Sequence, residues 1–174
     1  MDFWQVIEER YSVREFDPTV EVPPEIVERL LAAAIRSPSA GNRQPWHFYV
    51  VRDMEMRQGL AAAAYGQQFV SQAPLVIVVC ADAEQSAERY GQRGRDLYCL
   101  QDTASATVHI LLAAVALGLG GCWVGAFDER QAARVLNLPA HHRPIAILPI
   151  GKPAGQAPGR TSRRPVASVA TWIG

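Results

Sequence analysis

From Thr103 to Phe127 the chain reads TASATVHILLAAVALGLGGCWVGAF, with no Asp, Glu, Lys or Arg. A run of this length and apolarity can cross a bilayer, so the fold depends on how it is read. Ser105, Thr107 and His109 punctuate its first half. Gly118, Gly120 and Gly121 break the helical pattern before a span is complete. The stretch therefore predicts a buried helix, from about Asp96 to Leu117, followed by a strand from Cys122 to Phe127. The helix carries a stripe of Leu97, Leu100, Ala104, Val108, Leu111 and Val115. Small Ala and Ser residues flank that stripe, so a second helix can approach closely and this one is central or at an interface.

Working outward, Asp2 is placed to cap a first helix, with Gln5 closing a capping box. Pro23 and Pro24 open a second helix, in which Ile26, Val27, Leu30, Leu31 and Ala34 keep the helical period. Trp46 to Val51 is rich in aromatic and β-branched residues and reads as a strand. Asp53 caps a short helix reaching Ala64, and Asp128 caps another, with Gln131 at the capping-box position. Leu75 to Val79 is a continuous apolar run typical of a buried strand. Ile145 to Ile150 is another strand, in which Pro149 predicts an edge or a bulge. Glu84 to Gly94 is polar and reads as a mobile excursion, and the chain from Gly151 to Pro165, rich in Pro, Gly and Arg, as extended. Helices and strands mix without strict alternation, which favours an α+β fold. No internal repeat is visible, so residues 1–174 are expected to form one domain with an extended arm over residues 151–174.

Composition narrows the function. The formal net charge is zero, which argues against a broad nucleic-acid surface but leaves room for a local phosphate pocket. The three cysteines, Cys80, Cys99 and Cys122, form no Cys-x-x-Cys or Cys/His spacing, so neither a disulfide framework nor a zinc site is expected. The adjacent His141 and His142 fall in a loop and are poor metal ligands without partners, so no metal is assigned. The N-terminus lacks a basic region followed by an apolar one, so no secretory signal is expected and the protein reads as cytoplasmic, with no membrane partner.

Three motifs carry chemistry. Arg10-Tyr11-Ser12-Val13-Arg14 follows the first helix. Its two guanidinium groups and one hydroxyl can hold a phosphate or an anionic ring edge, or the arginines can simply meet a helix C-terminus. Ser37-Pro38-Ser39-Ala40-Gly41-Asn42-Arg43-Gln44-Pro45-Trp46 is a tight turn into a strand, with Ser39, Asn42 and Gln44 crowding hydrogen-bonding groups into a small space. Gly118 to Phe127 fails as a Gly-x-Gly-x-x-Gly fingerprint because Trp123 stands at the third glycine, and no P-loop Lys follows.

In this order and spacing the three motifs resemble the FMN-dependent nitroreductase family over nearly the whole chain. The first matches its Arg-x-Ser-x-Arg signature, followed by Phe16. The second matches its Ser-x-x-Asn-x-Gln-Pro-Trp pattern at Ser39, Asn42, Gln44, Pro45 and Trp46. The resemblance implies a nitroreductase-like fold: a central mixed β-sheet flanked by helices, a long central helix, and a C-terminal arm exchanged in a homodimer. It also implies FMN at the subunit interface, with NADH or NADPH as electron donor. By the same resemblance Arg10 and Ser12 face the ribityl phosphate, Tyr11 is a further cofactor-binding residue, and Arg14 lies near the N1/O2 edge of the isoalloxazine. Pro38, Ser39, Ala40, Asn42 and Gln44 reach the flavin from the second subunit. Gln67 supplies a polar flavin contact, and Gly125 and Ala126 present backbone near N5. Of the basic cluster Arg160, Arg163 and Arg164, the resemblance points to Arg163 as the phosphate ligand. Two positions depart from the family: many relatives carry Glu where Gly125 stands and Asn where His109 stands, and His109 reads as a packed, hydrogen-bonded histidine.

The implied activity is an NAD(P)H oxidoreductase that reduces nitroaromatics, quinones or flavins by a ping-pong mechanism, with a small planar acceptor. No catalytic acid or base is needed, because the cofactor carries the chemistry. The alternatives are a specialised flavoenzyme of the same fold (a reductive dehalogenase or a dimethylbenzimidazole synthase-like oxidase) and a non-enzymatic flavin-binding protein. A lid for the specialised reading has only Glu84 to Gly94 as a candidate. A hydrolase built on Ser39 and His47 lacks a nucleophile-elbow signature. Independently, Val166, Val169, Trp172 and Ile173 form an apolar set with no local core, which favours burial on a partner.

Overall fold

A computed structural model describes residues 1–155, 157 and 161–174. Four helices form where expected, three of them capped by Asp. In α1 (Phe3–Glu9) the Asp2 carboxylate accepts from the Gln5 N–H at 3.0 Å, and the Gln5 side chain accepts from the Asp2 N–H at 2.9 Å. Helix α2 (Pro24–Ala34) starts at its proline and buries Val27, Leu30 and Ala34. Asp53 caps α3 (Met54–Ala63), and Asp128 caps α7 (Glu129–Val135).

The strands are β1 (Trp46–Val51), β2 (Leu75–Asp82), β3 (Gly120–Gly121) and β4 (His142–Gly151), in the spatial order β1-β2-β4-β3. The fold is α+β, as expected. All three ladders are antiparallel, and the mixed character of the sheet comes down to one parallel bridge, Ser12 with Gly121. Along β2 the side chains alternate between two cores. Leu75, Ile77 and Val79, with Ala146, Leu148 and Ile150 of β4, face α2 and the long helix α6 (Cys99–Ala116). Val76, Val78 and Cys80, with Ile147, face α3, α7 and the short helix α4 (Phe69–Gln72). A sheet covered on both faces explains the continuous apolar run of β2, which would otherwise alternate.

Helix α6 is a core helix: Ala106, Ile110, Leu111 and Ala114 belong to the first cluster. A single π-type turn at Gly94–Tyr98 precedes it, over part of the region expected to be its first turn. His109 is half-buried, with Nδ1 2.8 Å from the Ser37 hydroxyl.

Three expectations need correction. Glu84 to Gly94 is not an excursion but helix α5 (Ala83–Arg93), bent at Gly91. It lacks an apolar stripe and is held by polar contacts instead. The Asp82 carboxylate caps Gln85 N–H at 3.0 Å, the Gln85 amide donates to Arg43 O at 2.6 Å, and Arg43 pairs with Glu88. The strand expected from Cys122 to Phe127 does not form: β3 falls just before it, at Gly120–Gly121, and within it only Val124 bridges Ile147. Pro149 lies in β4, which is an inner strand, and the register shift falls elsewhere, between Val79 and Cys80 opposite Pro144–Ala146. The Pro149 carbonyl accepts from Cys122 N–H at 3.3 Å, so its missing N–H also faces the β3 side, where few ladder bonds are needed.

Candidate functional site

The stretch after α1 runs extended along β3. Val13 N–H donates to Gly121 O at 3.1 Å, and Ser12 bridges Gly121. Extended backbone alternates its side chains, so Val13 is buried while Ser12 and Arg14 are exposed on the opposite face. Tyr11, half-buried, packs with Val13, Phe16 and Ala73. Arg10 ends α1, its N–H donating to Val6 O at 3.1 Å. Gly120 is required here: an added Cβ would lie 2.4 Å from Val13 Cγ2.

The same face continues into the glycine-rich segment. Burial pushes the Cys122 thiol pKa up, while the charge of Arg14, a hydrogen bond from Ser12, and the charge of Arg10 oppose that shift. The Arg14 guanidinium lies over the Phe69 ring, 5.9 Å from its centroid. Gln67 closes the far side, its amide donating to Ala64 O at 3.0 Å and to Ala126 O at 3.3 Å. Gly125 and Ala126 are exposed, and a Cβ on Gly125 would meet nothing nearer than Trp123 Nε1 at 3.6 Å. Two cationic side chains, a hydroxyl and an open backbone shelf thus share one surface. Such a surface suits a planar group that carries a phosphate.

Sequence reasoning missed the device that fixes this segment. Arg57, buried in α3, donates through Nη1 to Ser71 O at 2.6 Å and to Ala73 O, and through Nε to Arg52 O at 3.2 Å. It locks the end of α4 and hence the Gln67–Phe69 turn. A lone Arg within a helical pattern carries no signal of this.

The second motif is well formed but far away. Pro38 is exposed, and Ser39 Oγ accepts from Gln44 N–H at 3.0 Å. Gly41, Asn42 and Gln44 all have positive φ, which curls the loop tightly. The Gln44 amide donates to Asn42 Oδ1 at 3.3 Å, and both side chains are exposed. Ala40 N–H donates to both oxygens of Asp102 at 3.1 Å, and Thr103 Oγ1 donates to Pro45 O at 3.2 Å. The loop is therefore fastened to the start of α6, whereas the Arg10–Arg14 stretch lies beyond its end, at Gly120–Gly121. From Asp102 to Gly118 an α-helical rise of 1.5 Å per residue gives about 24 Å. Within one chain the structure gathers Ser12, Arg14, Gln67, Gly125 and Ala126 along the glycine-rich segment, sets Arg10 at the end of α1 and turns Tyr11 to the Val13–Phe16 side, and keeps Pro38, Ser39, Ala40, Asn42 and Gln44 apart from them.

Arg163 is not brought to either group. It lies on the exposed arm and donates to Thr161 O, Thr161 Oγ1 and Ser162 O. Arg164 donates to Ser168 O at 2.8 Å, and Arg160 lies outside the described residues.

Comparison with known proteins places this geometry in context. The model of the Nitroreductase family matches residues 7–72 and 61–152. A relative from Archaeoglobus fulgidus, named provisionally as an NADH dehydrogenase/NAD(P)H nitroreductase, is 38% identical over 153 residues, covering 86% of this chain and 84% of its own length. The crystal structure of a nitroreductase family protein from Clostridium novyi is 31% identical, with a TM-score of 0.80, covering 88% of this chain and 86% of that one. A protein from Exiguobacterium sibiricum, solved in complex with FMN, shares the fold at 24% identity, with a TM-score of 0.89 over 99% of this chain and 98% of that one.

Proposed function

From the premise that the chain belongs to the nitroreductase family, we propose that it is an FMN-dependent NAD(P)H oxidoreductase acting on nitroaromatics, quinones or flavins. The observation that carries this reading is that Ser12 bridges Gly121 in the glycine-rich segment whose Gly125–Ala126 backbone lies open, with Gln67 bound to Ala126 at its far side. The residues present fit the cofactor: cationic groups for its phosphate and a shelf that no side chain fills.

Bound FMN supplies the capacity to accept a hydride and pass electrons on. Arg10 and Ser12 would hold the phosphate through charge-assisted hydrogen bonds. Arg14 would set a positive charge against the bound cofactor and so favour its reduced, more negative form. Gly125 and Ala126 keep one face clear for a planar partner, because neither projects a bulky side chain. A single slot admits donor and acceptor in turn, which makes turnover ping-pong.

We propose further that the working unit is a two-fold homodimer. The Ser39–Gln44 loop cannot reach the Arg10–Arg14 surface of its own chain along about 24 Å of helix. A two-fold axis that packs α6 against its copy brings the partner's loop to that surface. Exposed apolar groups support this: Phe3, Trp4, Val166, Val169, Trp172 and Ile173 are each at least 60% accessible in the single chain. The exchanged arm would carry Arg163 to the partner.

The test is the visible spectrum of the purified protein, followed by addition of NADH or NADPH without oxygen. Flavin bands that bleach rapidly support the oxidoreductase. Bands that stay oxidised with both nucleotides replace it with a flavin-binding role, and a colourless protein that takes up no FMN overturns it.

A further inference from the structure

The ends of β2 and β4 away from the Arg10–Arg14 surface of the same chain gather a cluster that the proposed reaction does not use. Asp82, the last residue of β2, caps α5 with Oδ1 alone, which leaves Oδ2 free. Oδ2 lies 4.0 Å from His142 Nε2, beyond hydrogen-bonding distance. The His141 ring packs edge-on against His142, with centroids 4.4 Å apart, and one ligand atom from each of Asp82, His141 and His142 lies within 4.8 Å of the others. His142 is itself held in place: its Nδ1 is 2.6 Å from Tyr49 Oη, and His47 stacks on its ring at 4.4 Å. Asp82 and His141 open onto a recess of about 570 Å³ that Arg43, Glu84, Gln85 and Glu88 complete.

We propose that Asp82, His141 and His142 form a zinc site. Two imidazoles and one carboxylate are a borderline donor set that suits Zn²⁺, whereas Mg²⁺ and Ca²⁺ prefer all-oxygen cages. Zinc–ligand bonds of about 2.0–2.1 Å place two ligands of a tetrahedral ion about 3.4 Å apart. Rotation of side chains at a recess mouth therefore has to close the 4.8 Å span by about 1.4 Å. To ligate through Nε2, His142 would keep its proton on Nδ1 and donate it to Tyr49 Oη, an arrangement common at histidine-ligated metals. The fourth position faces the recess and takes water. The ion would join the end of β2, the start of β4 and the N-terminus of α5, and so tie down a helix that lacks an apolar face. Adjacent histidines are weak ligands alone, and here the third donor comes from a residue far away in sequence.

The experiment is calorimetric titration of untagged protein with ZnCl₂ alone, checked by competition with a chromophoric chelator. The variants are His141→Ala, at an exposed position, and Asp82→Asn, which keeps a capping oxygen. One zinc per chain, weakened about tenfold or more in each variant and also in Tyr49→Phe, is the expected result. A thermal midpoint that rises with zinc in the parent and not in His141→Ala would agree. FMN content should be unchanged in all three variants, so failure here is separable from failure of the flavin reading. Absence of saturable binding at millimolar zinc overturns the site, as does binding that His141→Ala leaves unaltered.

Discussion

The backbone N–H of Ala40 donates to both carboxylate oxygens of Asp102 at 3.1 Å, which ties the Ser39–Gln44 loop to α6. Asp102 is almost fully buried. Burial pushes its carboxyl above the ordinary value of 3.8, and the Ala40 N–H opposes that shift without cancelling it. A raised carboxylate binds protons more readily in the folded chain than in the unfolded one. Its contribution is therefore greatest below the unfolded value and falls as pH rises toward the folded one. Relative to Asp102→Asn, the parent should lose stability as pH rises from 3.8 into that window and run parallel above it. Thermal melts across pH test this, and a difference that grows in the parent's favour with pH contradicts it. Asp102→Ala should cost about 1–3 kcal/mol through the orphaned Ala40 N–H and lost charge-assisted bonds.

The two glycines of the third motif should respond differently to alanine. At Gly120 the new Cβ drives into Val13 Cγ2 at 2.4 Å, so the Ser12–Arg14 stretch must shift. The expected cost is about 1–3 kcal/mol, together with loss of bound FMN. At Gly125 the Cβ enters open space, so stability should stay within about 0.5 kcal/mol of the parent. FMN should be retained and turnover of the planar acceptor slowed. Flavin content and melting curves for the two variants settle the contrast, and equal FMN loss in both would refute the shelf.

Arg14→Gln removes the cation from the ring edge and leaves a hydrogen-bond donor in place. The midpoint potential of bound FMN should fall by about 30 mV or more, equivalent to about 1.4 kcal/mol for a two-electron couple. Spectroelectrochemical titration reads this directly. An unchanged potential places Arg14 elsewhere.

The arm should be needed for assembly. A chain ending at Gly155 keeps the Phe16–Pro153 bridge and the Ala154 N–H to Glu15 O bond, so its own fold is spared. It should nevertheless be monomeric or insoluble and lack FMN, as light scattering and absorbance would reveal. A soluble FMN-loaded dimer would falsify the exchange.

Much of this was legible in the sequence where local chemistry decides. Asp2, Asp53 and Asp128 cap helices because a short acceptor precedes an amphipathic run, and Gln5 closes the box as its spacing requires. Leu75–Val79 reads as buried because two helical layers cover it. The three site motifs were visible as motifs, and the resemblance implied that the second comes from a partner, but the spacing by α6 was not legible, since it depends on where the Asp102 and Gly120 contacts fall in space. Helix α5 escaped notice because polar pairings to Arg43 hold it rather than an apolar stripe. The Arg57 clamp and the meeting of Asp82 with His142 are long-range and left no periodic trace.

The distance between the two halves of the site has a genetic corollary. If each flavin is held by Arg14 from one chain and Asn42 from the other, two different defective alleles can rescue each other. A hybrid of an Arg14→Gln chain with an Asn42→Ala chain carries one site with both lesions and one with neither. Co-expression should therefore restore about a quarter of the sites in a randomly mixed population, although neither variant alone retains any intact site.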